Sequence, residues 1–318
     1  MRDLYYVVRP FRFGVNVVRA GSRHEWAEKA RKVEGLGYSV LGVPDHLTEM
    51  LAPLPAVLAA ALATTRLRVG TGVINNDFRH PVLLARETAT VDLLTEGRLE
   101  LGLGAGYAQA EYDQAGLPYN VGATRVARLA ETVEILKRLF AGEAVSFTGE
   151  HYQVTGHTLF PLPVQRPRPP LLIGGNGPTL LALAGKESDI VGLTGITFRR
   201  GGTAPDIAAW KAPAVDERIA LVKEAAGQRF MEIELNALVQ RVIVTDDRRP
   251  VAEDLARERW GQLSADDILE SPYALIGTVD ELVEDLNARR RRWGISYILI
   301  HEPYLDALAP VIARLAGT

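Results

Sequence analysis

The sequence predicts a (β/α)8 barrel of the α/β class, with insertion segments over its C-terminal face. Three observations carry this reading. Apolar strand-like runs alternate with helix-periodic stretches along the whole chain, and there are eight such pairs. The runs are apolar almost without a break, as strands covered on both faces of a parallel sheet are. No linker divides the 318 residues, a length that such barrels reach as one domain. A doubly wound open sheet also fits the alternation, but not the count of eight. Residues 1–318 therefore read as one TIM-barrel domain, with insertions at roughly 107–124, 145–170 and 196–214.

The first strand is "RFGVNV" (12–17), and the helix after it, 23–36, places Trp26, Ala30, Val33 and Leu36 on one side. Strand two is "SVLGVP" (39–44) with a helix at 53–65; strand three is "LRVGTGVI" (67–74) with a helix at 80–95, whose Pro81 sits where a missing N–H costs little. Strand four is "RLELGLGAG" (98–106). The helix after it steps 3-4-3-4 through Val126, Leu129, Val133, Leu136 and Phe140. A small hairpin (145–154) and a Pro-rich extended connector (160–170) interrupt the rhythm. Strand five is "LLIGG" (171–175) with a helix from Thr179, and strand six is "DIVGLTG" (189–195) with a helix at 215–230. Strand seven is "LNALVQRVIVT" (235–245). Two helices follow, the second opened by Thr278 with Glu281 three residues on, a capping-box spacing. Strand eight is "SYILIHE" (296–302), followed by the last helix.

Composition narrows the function. Thirty-six Lys and Arg against 39 Asp and Glu give a net charge of −3, so there is no broad basic field for nucleic acid or an anionic membrane. No apolar run reaches the roughly eighteen residues of a transmembrane helix, and the N-terminus lacks a secretory apolar region. Cysteine is absent, which excludes disulfides and thiolate metal sites and fits a cytoplasmic location. A small-molecule substrate is the expected partner.

In barrels of this kind chemistry sits at the C-terminal ends of the strands. Those ends carry Asp45-His46, Asn75-Asn76-Asp77, Gly106-Tyr107 with Glu111 close behind, Gly174-Gly175-Asn176-Gly177, Thr194-Gly195 and His301-Glu302. A neutral imidazole at His46 exchanges protons near pH 7; alternatively, Asp45 caps the next turn and His46 satisfies local backbone. "GGNGPT" (174–179) reads either as backbone N–H groups and a helix start that hold a phosphate, or as a tight turn needing positive φ. Asp92 and Arg98 read as a structural ion pair. No metal site is expected: "HLTEM" is not H-E-x-x-H, and no second His lies at ligand spacing. G-x-S-x-G is absent, and "GLGAG" is too short for a dinucleotide fingerprint.

"GVPDHL", the block 67–116, "LLIGGNG" and "LIGTVDELVEDL" together resemble the bacterial luciferase-like flavin and deazaflavin oxidoreductases, over nearly the whole chain. The resemblance implies a barrel with insertions over its mouth and a redox cofactor across the strand ends, its phosphate near the loop after strand five. It implies a cis peptide in a bulge around Gly72, Val73 and Ile74 behind the cofactor ring, with Gly106 and Tyr107 also against the cofactor and Gly174, Gly175, Asn176 and Gly177 near its phosphate. His46 stands beside the reacting ring face, and Asp45 orients its imidazole or caps the turn. Many FMN members carry Trp-Asn where this chain has Tyr107-Ala108, so coenzyme F420 is the expected cofactor and FMN the alternative. The function implied is an F420-dependent oxidoreductase moving a hydride between the deazaflavin and a small organic substrate. The alternatives are an FMN-dependent monooxygenase using O2, or a catalytically silent flavin-binding protein. A homodimer is expected; Arg199 and Arg200, in the second insertion, read as solvated residues over the barrel mouth or, alternatively, as contacts to an anionic cofactor tail.

Overall fold

The computed structural model of the chain describes residues 9–198, 205–258 and 262–318. Arg199 and Arg200 lie outside the described residues. Eight strands run in chain order: β1 (Arg12–Asn16), β2 (Val40–Val43), β3 (Arg68–Thr71), β4 (Leu99–Gly104), β5 (Leu171–Gly174), β6 (Ile190–Leu193), β7 (Glu234–Leu238) and β8 (Ile295–His301). Every residue of β2, β4, β5 and β6 is buried, which is why no polar alternation marks them in the sequence. Helix α1 (Arg23–Gly35) follows β1, α2 (Pro53–Leu62) follows β2 and α3 (Pro81–Leu94) follows β3. After β4 come α4 (Gln109–Ala115) and α5 (Gly122–Phe140), after β5 α6 (Pro178–Glu187), and after β6 α7 (Ala212–Ala226). After β7 come α8 (Arg248–Glu258), α9 (Ala265–Glu270) and α10 (Val279–Trp293), and after β8 α11 (Leu305–Leu315). This is the (β/α)8 barrel that the sequence predicts.

Contacts divide the chain into two compact units. One holds Val17–Glu34 and Val40–Gly174. Its four strands pair in parallel, with Val40 opposite Arg68, Val69 opposite Leu99 and Leu101 opposite Leu171. The other holds the chain up to Asn16, Gly35–Ser39, and everything from Gly175 onward. There β8 lies between β1 and β7, with Arg12 and Asn236 both opposite Tyr297, and β7 pairs with β6 from Glu234 and Ile190.

Helix α5 buries the expected stripe of Leu129, Val133, Leu136 and Phe140, each side chain stabilising the fold by about 1.5–3 kcal/mol. Val126 is only half-buried, and Arg125 beside it is buried instead. The capping box of α10 forms: the Glu281 amide donates to Thr278 Oγ1 at 3.3 Å, and the Thr278 amide donates to Glu281 Oε2 at 2.7 Å. Among the described residues no helix is long and apolar enough to cross a membrane.

The structure departs from the sequence reading at three places. Strand three stops at Thr71, just before the cis Gly72–Val73 peptide, and Ile74 and Asn75 pair again with Leu103 and Gly104. The seventh apolar run is two strands. It breaks after Leu238, and Arg241–Val244 pairs instead with Ala274–Gly277, outside the barrel. Apolar alternation is the same on both sides of the break, so periodicity does not reveal it. Asp92 and Arg98 do not pair with each other. Asp92 accepts from the Val164 and Gln165 amides and from Gln165 Nε2. Arg98 donates to the carbonyls of Ala61, Thr64, Leu67 and Thr95.

Candidate active site

The β2 strand ends at Val43, and Pro44 turns the chain so that Asp45 and His46 leave the ladder together. They take different partners. The Asp45 carboxylate is buried and holds Arg79, whose Nη1 and Nη2 donate to its two oxygens; Oδ2 also accepts the Asn75 amide at 3.1 Å. Asp45 therefore anchors the end of strand three. It neither orients His46 nor caps a helix, contrary to the sequence reading: the carboxylate is spent on a guanidinium.

Glu111, from α4, orients His46. Its Oε1 lies 2.7 Å from His46 Nδ1, and its Oε2 accepts the Leu47 amide at 3.1 Å. An ionised carboxylate only accepts, so Nδ1 carries the hydrogen and the Nε2 lone pair is left for a ligand. Tyr107 faces that nitrogen. Its hydroxyl lies 3.4 Å from Nε2 and the two rings meet edge to face at 5.4 Å. Tyr107 is 45% exposed. Desolvation of its hydroxyl, and then the negative charge of Glu111, push the hydroxyl above the ordinary tyrosine range. It stays a donor across the working pH.

The loop that presents Tyr107 is held from behind. Arg125 Nε donates to the carbonyls of Ala105 and Gly106, both at 3.2 Å, and its guanidinium lies 4.3 Å from the centre of the Tyr119 ring. Tyr119 in turn donates to the Tyr107 carbonyl at 3.0 Å. A cavity of about 300 Å³ is lined by Asp77, Phe78, Arg79, Tyr112 and Arg128 among others. It reaches neither His46 nor Tyr107, so it is not where a substrate meets the imidazole.

From Gly175 onward the glycine loop belongs to the other unit. Gly175 has φ +154°, and a Cβ there would lie 2.1 Å from Leu180 Cδ2, so the backbone follows a path open only to glycine. Asn176 does not present its amide to a ligand. Its Nδ2 donates to Thr194 Oγ1 and to the Ile196 carbonyl, both at 2.7 Å, and its Oδ1 accepts the Thr194 amide at 3.3 Å. Its side chain braces the loop after β6, which leaves only its backbone for the phosphate contact expected on sequence. Gly177 is the N-cap of α6 with no side-chain cap, and a Cβ there would meet nothing within 4 Å. A ten-residue helix with an uncapped start and open space before it suits a phosphate. The residues present thus fit a phosphorylated cofactor through backbone groups alone.

In the same unit Asn16 and His301 end β1 and β8 opposite each other. Burial, and then the charge of Arg241, lower the His301 pKa below the ordinary histidine value. His80 is structural: its Nδ1 accepts the Val82 amide at 3.3 Å, capping α3. Arg79, Tyr112 and Arg125 were not singled out on sequence. Their only signal is position, within or just beyond the block on which the family resemblance rests.

Residues 5–294 match the luciferase-like monooxygenase family. The chain belongs to that family. An F420-dependent glucose-6-phosphate dehydrogenase of Nakamurella multipartita is 29% identical over 301 residues, covering 90% of this chain and 84% of that one. Among solved structures, the coenzyme F420 dependent tetrahydromethanopterin reductase from Methanopyrus kandleri has a TM-score of 0.75 at 17% identity, over 96% of this chain and 98% of that one. An F420-dependent secondary alcohol dehydrogenase, in complex with an F420-acetone adduct, has a TM-score of 0.74 at 19% identity, over 96% of this chain and 99% of that one. Both share the barrel fold. This luciferase-like protein is accordingly an oxidoreductase, and the cis Gly72–Val73 peptide lies within the bulge that the family resemblance implied.

Proposed function

We propose that this luciferase-like protein is an F420-dependent oxidoreductase that moves a hydride between the deazaflavin and a small organic alcohol or its carbonyl partner. The observation that carries the reading is His46, held at Nδ1 by a buried carboxylate with Nε2 turned to the Tyr107 hydroxyl. The names of relatives along most of the chain support the choice of cofactor. When bound, F420 supplies hydride chemistry through its deazaflavin ring. Gly72, Val73, Ile74, Gly106 and Tyr107 are the residues that would line its ring; Gly177 with the start of α6 would hold a phosphate, Gly174 and Gly175 shaping the turn before it, since the Gly175 amide donates to the Gly192 carbonyl at 3.0 Å.

The chain's own part is proton handling. In the oxidative direction His46 Nε2 takes the substrate hydroxyl proton, and in the reductive direction the imidazolium returns it. Glu111 stabilises the positive ring that forms. Tyr107, kept protonated, donates to the substrate oxygen and gives up Nε2 to it.

His46→Ala tests the reading. Turnover of F420 with an alcohol should fall by about 10²–10⁴-fold, the range of a lost general base. F420 affinity, followed by fluorescence titration, and melting temperature should change little. Wild-type turnover in the folded variant removes His46 from the mechanism. Tight FMN binding with no F420 binding turns the reading to an FMN monooxygenase.

A further inference from the structure

The geometry assigns Tyr112 as the positioning residue that holds Glu111 on His46, and so fixes which nitrogen of the imidazole meets the substrate. The consequence for turnover rests on the function proposed above; the assignment itself does not.

Helix α4 has only seven residues and no side-chain N-cap, so it is too short to persist by backbone bonding alone. Its buried side chains are Glu111 and Tyr112, adjacent in the chain. Glu111 reaches His46 and Leu47. Tyr112 reaches the end of strand three, where its hydroxyl lies 3.0 Å from Asn75 Oδ1 and 3.2 Å from Asp77 Oδ2. Both acceptors are themselves fixed. Asn75 gives its amide to Asp45, and its Oδ1 also accepts the Asp77 amide at 3.1 Å. Asp77 is paired with Arg128 of α5 at 2.8 Å.

The fit around the hydroxyl leaves no slack. Gly106 has φ +73°, and a Cβ there would lie 2.1 Å from the Tyr112 hydroxyl and 2.5 Å from Asn75 Oδ1. The ring is fully buried, 5.2 Å from Phe78 and 5.1 Å from Tyr119 between centres. Burial, and then the Asp77 charge, push the hydroxyl far above the ordinary tyrosine range, so it remains a donor. The phenol is the one polar tie between α4 and the end of strand three among the described residues, and Glu111 is the next residue along. Releasing the hydroxyl frees α4 to shift, and the carboxylate moves with it.

Tyr112→Phe removes that tie and keeps the ring. In the apo protein, nitrogen NMR of labelled histidine should show His46 wholly in the Nδ1–H form for the wild type and as a mixture of tautomers for the variant. With F420 and an alcohol, turnover should fall about tenfold, as for lost outer-shell partners elsewhere, with F420 affinity unchanged. Adding Glu111→Gln should cost the variant no more than it costs the wild type, because both act through one contact. An unchanged tautomer signature with only a lower melting temperature would leave Tyr112 as core packing and overturn the assignment. A wild type that binds no F420 overturns the proposed function, yet the tautomer measurement still decides the role of Tyr112.

Discussion

His46 and Glu111, 65 residues apart in sequence, meet at 2.7 Å between Nδ1 and Oε1, while Asp45, the immediate neighbour of His46, faces Arg79 instead. The pair to which we assign proton handling is therefore a product of the fold, and the adjacent carboxylate is a structural anchor.

Glu111→Gln keeps one acceptor oxygen, for His46 Nδ1 or for the Leu47 amide but not for both, and removes the charge that stabilises the imidazolium. Turnover should drop by about 10–100-fold, with F420 binding and melting temperature near wild type. Stopped-flow measurement of deazaflavin absorbance reads the first, and titration and calorimetry the others. Undiminished turnover would show that Glu111 only ties the 45–47 turn down.

Asp45→Ala should act on stability. It strands the Asn75 amide and leaves the Arg79 guanidinium, with a side chain 22% exposed, without its carboxylate. The expected loss is about 2–3 kcal/mol, below that of a fully buried pair because Arg79 can turn toward water. Asp45→Asn keeps an acceptor for the amide and should lose less. Urea unfolding of both variants checks the order; equal losses would mean that the ion pair, rather than the amide bond, carries the effect.

Gly177→Asp should move stability and binding in opposite directions. The new Cβ meets nothing, and the carboxylate caps α6, worth a few tenths of a kcal/mol, roughly, over glycine. The same carboxylate occupies the place given to a phosphate and repels it. Melting temperature should rise slightly while F420 affinity falls at least about tenfold. Unchanged affinity would leave the glycine loop as a turn only.

His301 makes stability depend on pH. Its folded-state pKa lies below the unfolded value, so below roughly pH 6.5 the unfolded chain binds more protons than the folded one. The stabilising contribution is present above that value and is lost as pH falls toward the folded pKa. His80, also lowered by burial, contributes with the same sign. Melting between pH 7.5 and 5.5, roughly the span across the ordinary histidine value, should drop less in His301→Gln than in the wild type. Parallel curves would mean that His301 is not buried as described.

Strand ends and turn glycines were legible in the sequence: His46, Tyr107 and the 174–177 loop each stand at or just beyond the C-terminal end of a described strand. Side-chain direction was not. Asn176 looked like a ligand residue because of its setting, yet its amide turns back to Thr194 and Ile196. Glu111 was visible as a nearby carboxylate, but its hold on His46 depends on where a two-turn helix comes to rest. Arg79 and Tyr112 act across 34 and 37 residues, on Asp45 and Asn75 respectively, and no local pattern encodes a pairing of that kind. The break in the seventh run was hidden because both pieces are equally apolar.

Helix α4 also sets the order in which the protein comes apart. A segment anchored by two side chains opens at a lower free energy than the strands beneath it. Its amides should exchange with solvent long before those of β4, and each opening carries Glu111 away from the imidazole. On warming, the proton transfer proposed above should cease with fraying of these seven residues, while far-ultraviolet dichroism still reports the folded strands and helices. The activity proposed for this protein should have a melting point of its own, below that of its fold.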